Sequence, residues 1–326
     1  MKSNKGSIIL YTSACCAILL LSTLGVGRPL GEKAAATIFF LETGHILQTQ
    51  PTYPKEPEQE PADPPETRPE ETEPAQTQPE RLPLFSEEDA ALVQLQNLCG
   101  YATDVPAWLA QPLNWQLQQT RPTVLIVHSH GTESYADTKP DNYHSLNREH
   151  NVVSVGTELT RLLEEAGIGV IHDTAMHDHP SYDDSYPNSR NSVQAYLEQY
   201  PSIRLVLDLH RDSVADSSGS QIRFTTETEE GTAARMMFVV GSDASGQSHE
   251  KWPENMSLAV KLQALLEKEN PGICRPIYFR TQRFNQDLSP GAMLVEMGSA
   301  GNTRQEVLLS ARYLADAIIT LAQGTQ

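Results

Sequence analysis

VLIVHSHGTESY, residues 124–135, decides the fold. Its first four residues are apolar without interruption, too few for a helix and not alternating, which marks a strand buried on both faces. Polar residues then close it abruptly. Two later stretches have the same form, RLVLDLHRDS at 204–213 and MLVEMGSAGNT at 293–303. With two shorter runs, strands are expected at 123–128, 169–172, 204–209, 236–240 and 293–297. Between them apolar residues recur at helical spacing: Val152, Val155, Leu159, Leu162, Leu163 and Ala166; Val193, Tyr196, Leu197 and Tyr200; Met256, Ala259, Leu262, Leu265 and Leu266; Val307, Leu308, Ala311, Leu314, Ala315 and Ile318. Strands alternating with helices fold as α/β units, so the chain is read as a mostly parallel sheet flanked by helices. A further short helix is expected from Ala91, Leu92, Leu95 and Leu98, while the segment with Trp108 and Trp115 carries no clear period.

In such sheets ligands gather at the carboxyl ends of strands. The first quoted strand ends in His128, His130 and Glu133, the second in Asp208 and His210, and the third in Glu296. The spacing of His130 and Glu133 lets an imidazole and a carboxylate from one turn converge on a single ion. His130, Glu133 and His210 would leave the fourth position of a tetrahedral Zn²⁺ open for water, and a further carboxylate, Glu296, would take that water's proton. The remaining polar residues have plainer readings. His128 closes a buried strand and is read as a satisfied core histidine or as a support behind the ligands. Asp208 is read as the partner that orients a ligand imidazole, or as an inward residue bonded to backbone. His144, His150, His172, His177, His179 and His249 fall in loops or helix flanks and are read as surface residues. Serine acyl transfer lacks its GxSxG elbow, although Ser129 and Ser134 flank the histidines. No Gly-rich phosphate loop is present, and nothing pairs two carboxylates for glycoside hydrolysis.

The rest of the chain frames this domain, read as residues 85–326. Of 326 residues, 24 are Lys or Arg and 42 are Asp or Glu, a formal net charge of -18. Nucleic acid is excluded as a partner, because phosphate backbones are held by clustered cations. Lys2 and Lys5 precede an uncharged run over 8–26, long enough to cross a bilayer core. Residues 1–7 are therefore read as a cytoplasmic N-terminus and 8–27 as a transmembrane anchor, with everything downstream outside the cytoplasm. A cleaved secretory signal, using the small residues Ala34 to Ala36, is the competing reading; the run exceeds the usual signal length. A lipoprotein reading of Cys15 has too short an apolar segment before it. Residues 28–84 are read as an extracytoplasmic linker. From Pro51 to Pro83 they hold ten prolines, nine acids and three bases, too few apolar groups to offset the entropy of ordering. Outside the apolar run the only thiols are Cys99 and Cys274, and an oxidising compartment permits a bridge without spacing requiring one.

Taken in order, VLIVHSHGTESY, NVVSVGTELTRLLEEAGIGVIHD (151–173), HPSYDDSYPNSRNSV (179–193), DLHRDS (208–213) and RFNQDLSPGAMLVEMGSAGNTRQEV (283–307) resemble the stage II sporulation protein P family, membrane-anchored peptidoglycan hydrolases of endospore-forming bacteria. The resemblance covers about residues 121–321. It implies a zinc-dependent N-acetylmuramoyl-L-alanine amidase, which cuts between muramic acid and the first residue of the stem peptide; the family is also credited with cutting stem-peptide crosslinks. It implies His130 and His210 as zinc ligands and Glu296 as the catalytic glutamate. Arg211, Asn285 and Gln286 match motif positions and would hold glycan or peptide carboxylates, or make structural hydrogen bonds. In the wider zinc amidase pattern the third ligand is a glutamate at the start of the next helix. Arg148 stands there, with Glu149 beside it, so Glu133 and Glu149 are the two candidates, Glu133 preferred for its spacing. The implied partners are peptidoglycan and the sporulation proteins D and M. The implied place is the cell membrane, with the C-terminal domain in the space between mother cell and forespore membranes during engulfment. Two other classes remain. A zinc carboxypeptidase or endopeptidase shares the HxxE and distant His pattern, and a non-catalytic wall-binding regulator would not need the two histidines and Glu296.

Overall fold

The computed structural model describes residues 84–113, 117, 120–138 and 142–324, all within the unit Tyr53–Gln326. The expected anchor and nearly all of the expected linker lie outside the described residues. Among the described residues no helix is long and apolar enough to cross a membrane.

Among the described residues nine strands run in chain order as β1 Leu95–Asn97, β2 Val124–Val127, β3 Val170–His172, β4 Leu205–Asp212, β5 Thr225–Thr228, β6 Gly231–Ala234, β7 Met236–Val240, β8 Ile277–Phe279 and β9 Ala292–Ser299. Five helices accompany them: α1 Val105–Ala110, α2 Val152–Glu165, α3 Ser185–Gln199, α4 Trp252–Glu269 and α5 Arg304–Gly324. Seven strands form one sheet in the order β1-β8-β7-β9-β4-β2-β3, and β5 pairs with β6 as a separate hairpin. Every pairing in the large sheet is parallel except β7 against β9. The five expected strands and the four long helices are present. β2, β4 and β7 are buried along nearly their whole length, the condition under which continuously apolar strands arise.

The expected helix over Ala91–Leu98 does not form. A 3-10 turn spans Glu87–Leu92, and the chain then extends as β1, with Leu95 opposite Ile277 of β8. Edge pairing here outweighs a short helical period, whose last member, Leu98, is 47% exposed. The short strand β8, the β5–β6 hairpin and α1 are additions to the expected elements.

Strand alternation sorts the side chains into two layers. Val124 and Ile126 of β2 and Leu205, Leu207 and Leu209 of β4 join α2, α4 and α5 in the main core. Leu125, Val127, Val206 and Ala292 face the opposite way and pack with Val193 of α3. Among the described residues α3 is the only α-helix in that cluster, and the candidate site residues lie on that face.

α2 lies very close to the sheet at Gly156. A methyl group there would stand 2.5 Å from His172 Nε2 and 2.7 Å from His128 Nε2. These two imidazoles are hydrogen-bonded to each other at 2.8 Å, and burial pulls them down to pKa values of about 4 for His128 and about 3 for His172. Gly to Ala inside a helix ordinarily stabilises by up to about 1 kcal/mol. Gly156→Ala is expected to do the reverse, costing about 1–3 kcal/mol through overpacking. Urea unfolding of the two proteins checks the sign.

Candidate functional site

Parity in β4 sends Asp208 and His210 to the α3 face and Arg211 to the other. β9 lies alongside with Glu296 directly opposite His210, so a carboxylate and an imidazole from neighbouring central strands share one face. β2 ends at Val127, and the chain then bends into the turn that carries His130 and Glu133. Asp208 fastens this bend, accepting from Ser129 N at 2.8 Å and from Ser129 Oγ at 2.6 Å. A backbone bond from Glu133 N to His130 O, 3.1 Å, closes the turn. Glu133 Oε2 then accepts from Arg211 N at 2.9 Å, which fixes the turn to the end of β4. The rings of His130 and His210 meet edge to face with centroids 5.3 Å apart.

His210 sits between two acids, Nε2 at 2.9 Å from Asp208 Oδ1 and Nδ1 at 3.5 Å from Glu133 Oε2. Burial alone would disfavour its charged form, but the two carboxylates outweigh it and hold the imidazole well above its usual range. Burial works against the ionised forms of the acids too. The pull of His210 and the bonds from Ser129 nevertheless bring Asp208 down to about 2, and His210 and Arg211 lower Glu133. Glu296 goes the other way: burial drives its carboxyl up to about 8, the attraction of His210 falling short. One carboxyl is thus held proton-rich beside acids held ionised, the divergence that marks acid–base sites. Burial and the neighbouring His210 lower His130.

The donor set suits Zn²⁺ by type, since imidazole nitrogens and carboxylates are its ligands. His130 Nδ1 and Glu296 Oε2 are buried without a hydrogen-bond partner, while the equally buried His210 Nε2 faces Asp208 at 2.9 Å as an ion pair without an aligned hydrogen bond. The other carboxylates are committed, Glu133 to Arg211 and His210, Asp208 to Ser129 and His210. Among the described residues, no three His, Cys, Asp or Glu side chains stand grouped so as to hold a metal ion.

The structure brings His130, Glu133, His210, Asp208 and Glu296 together. His128 points away, its Nδ1 bonded to Leu209 O at 3.1 Å and its Nε2 to His172. Arg211 is buried, donating to Ser134 O and Tyr143 O, and holds the turn in place. Gln286 is buried too, with its amide closing on Gly241 N and Val239 O, both at 2.8 Å. Asn285 donates to Tyr186 O at 2.9 Å. Arg148 and Glu149 are exposed on the loop before α2. The surface reading of the histidines is corrected at His172, which ends β3 packed against His128, and at His177 and His249, which are buried; His177 Nε2 faces Asp173 Oδ2 at 3.0 Å, an i,i+4 pair that periodicity does not reveal. Cys99 and Cys274 are free thiols.

Two aromatic residues were not legible as functional. Tyr182 stacks on His130 with centroids 4.3 Å apart. Tyr186, in the first turn of α3, meets His130 edge-on at 5.5 Å and lies parallel to His210 at 6.4 Å. Their i,i+4 spacing straddling the start of α3 was the available signal.

The family described as Stage II sporulation protein P (SpoIIP) matches residues 38–319. Stage II sporulation protein P of Bacillus subtilis (strain 168) is 31% identical over 210 residues, 59% of this chain and 49% of that protein, so the match spans about half the length of the relative. Among solved structures, N-acetylmuramoyl-L-alanine amidase AmiC2 of Nostoc punctiforme overlays 62% of this chain and 94% of its own with 13% identity and a TM-score of 0.36. The apo N-acetylmuramyl-L-alanine amidase Ami1 of Mycobacterium abscessus overlays 63% and 98% with 12% identity and a TM-score of 0.37. Superpositions this loose transfer no residue roles.

Proposed function

Because this chain belongs to the stage II sporulation protein P family, we propose that it is a sporulation peptidoglycan hydrolase that cuts the amide between N-acetylmuramic acid and the L-Ala of the stem peptide. The observation that carries the chemistry is the buried, unpartnered Oε2 of Glu296, a residue directly opposite His210 on the adjacent strand. His130, His210 and Glu133 would hold Zn²⁺, Glu133 releasing its contacts with Arg211 N and His210 to do so, with Glu149 too exposed to join them. When bound, the ion supplies Lewis-acid polarisation of the scissile carbonyl and a lowered pKa for the attacking water.

The chain's own residues supply the rest. Glu296, with its pKa near 8, is matched to taking a proton from the attacking water and returning it to the leaving amine near neutral pH. Asp208, held by two bonds from Ser129, fixes the orientation of His210. Tyr182 and Tyr186 wall the two imidazoles and reduce the water around them. The same reading places this domain outside the cell membrane, tethered by residues 8–27 and the 28–84 linker, acting on peptidoglycan alongside the sporulation proteins D and M, with stem-peptide crosslinks as a second target.

Digestion of purified peptidoglycan by the full chain, with and without a chelator, tests the reading by mass spectrometry of the products. Free stem peptides released only without chelator are expected. Shortened peptides still attached to muramic acid would make the protein a peptidase, and an absence of products would make it a regulator.

A further inference from the structure

Tyr186, which meets both imidazoles, also lines a pocket of about 480 Å³ whose wall includes Pro187, Arg190, Arg283, Phe284 and Asn285. Three properties set it apart from an ordinary surface cleft.

The first is its backbone. Phe284 and Asn285 both have positive φ, 49° and 60°. Successive non-glycine residues in the left-handed region each cost about 1 kcal/mol or more and persist only where the surroundings enforce them. Here they are enforced from both flanks. Asn285 Nδ2 donates to Tyr186 O at 2.9 Å and to Ser189 Oγ at 3.2 Å, while the neighbouring Gln286 amide is fixed to the backbone of β7 and the loop after it. The turn is thus a rigid arm tied to the helix turn that carries Tyr186.

The second is charge. Among the described residues Asp287 is the one carboxylate that meets the pocket's guanidinium groups, and Arg190 takes both its oxygens, at 2.8 and 2.7 Å. Arg283 approaches the same carboxylate only to 3.6 Å and keeps 28% of its side chain exposed. Lys251 Nζ reaches the Asp287 carbonyl instead, at 2.8 Å. Two guanidinium groups thus share one carboxylate, in a chain whose formal net charge is -18. A guanidinium left with only a loose partner is suited to bidentate recognition of a ligand carboxylate.

The third is position. Tyr186 is shared between the two: its ring meets His210 and His130 and also lies with its centroid 6.0 Å from that of Phe284 in the pocket lining. A molecule cut at the imidazoles therefore has the pocket within reach of its next residues.

We propose that this pocket is the subsite for the leaving side of the substrate, with Arg283 binding a stem-peptide carboxylate and the rings of Tyr186 and Phe284 packing against the peptide. This rests on the proposed function for the identity of the substrate. Its chemistry selects the peptide side of the bond, because carboxylates lie along the stem peptide whereas the sugar side offers hydroxyl and acetamido groups.

Calorimetry with the full chain tests it, using a synthetic stem tripeptide with free carboxyl groups and the same tripeptide with every carboxyl amidated. The free acid is expected to bind about tenfold tighter than the amide, the effect of one good charge-assisted pair. Arg283→Gln should remove that preference while leaving affinity for the amide unchanged, and Arg283→Lys should keep part of it. Equal binding of both peptides by the wild type, or a preference that survives in Arg283→Gln, would overturn the subsite. The reading does not depend on turnover: a tripeptide preference that Arg283 controls, in a protein that releases no stem peptides from peptidoglycan, would retain the subsite and discard hydrolysis.

Discussion

Glu296→Gln should lower stem-peptide release by about three orders of magnitude, within the range attributed to a positioned acid or base, without loss of the fold. The amide has the same shape but cannot accept the proton. Glu296 also contributes to stability, with a sign opposite to the usual carboxylate. Its folded-state pKa is about 8 against an ordinary 4.5. Below about pH 4 both folded and unfolded chains hold the proton and the group is neutral in its effect. Between the two values the folded chain alone retains it, so stability falls as pH rises through this window and levels off above 8. In metal-free protein, Glu296→Gln should therefore equal the wild type near pH 4 and exceed it at pH 9 by on the order of 5 kcal/mol. Urea unfolding at both pH values reads the difference. A gap that shrinks with rising pH would contradict the buried, unpartnered environment, and undiminished turnover would remove Glu296 from the chemistry.

His210→Ala is the more damaging change. The imidazole, held charged between Asp208 at 2.9 Å and Glu133 at 3.5 Å, neutralises two buried acids at once. Deleting one partner of a buried ion pair costs about 3–5 kcal/mol because the remaining charge is left uncompensated. The loss should be largest near neutral pH and shrink in acid, where Asp208 and Glu133 take up protons. Zinc content, measured on purified protein, should fall together with activity. Asp208→Asn separates the two effects. It relieves one of the stranded charges and leaves His210 in place but less well oriented, so zinc content should persist while turnover drops. Full zinc occupancy in His210→Ala would exclude this histidine as a ligand.

The sheet was legible because its strands are continuously apolar and separated by helical periods, as in VLIV at 124–127 and MMFVV at 236–240. Alternation within β2 also contained the fate of His128: it shares parity with Val124 and Ile126, which enter the main core, whereas Asp208 and His210 share parity with Val206 on the α3 face. The roles of Arg211 and Gln286 were not legible. Both match motif positions, yet their polar groups are spent on backbone atoms far away in sequence, Ser134 and Tyr143 for one, Val239 and Gly241 for the other. Such bonds depend on tertiary approach and leave no local pattern. The helix expected at Ala91–Leu98 failed for a related reason, since β8, nearly two hundred residues later, supplies the edge that β1 pairs with.

The candidate site is built on two supports of unequal stiffness. Glu296 stands on β9, which is bonded on one side to β4 and on the other to β7, whereas His130 and Glu133 ride on a turn held by a few side-chain bonds from Asp208 and Arg211. In hydrogen exchange the amides of β9 should persist to the limit of global opening, and those of the turn should exchange through much smaller fluctuations. If the proposed roles hold, anything that presses on or loosens the turn switches ion capture on and off while Glu296 stays where it is.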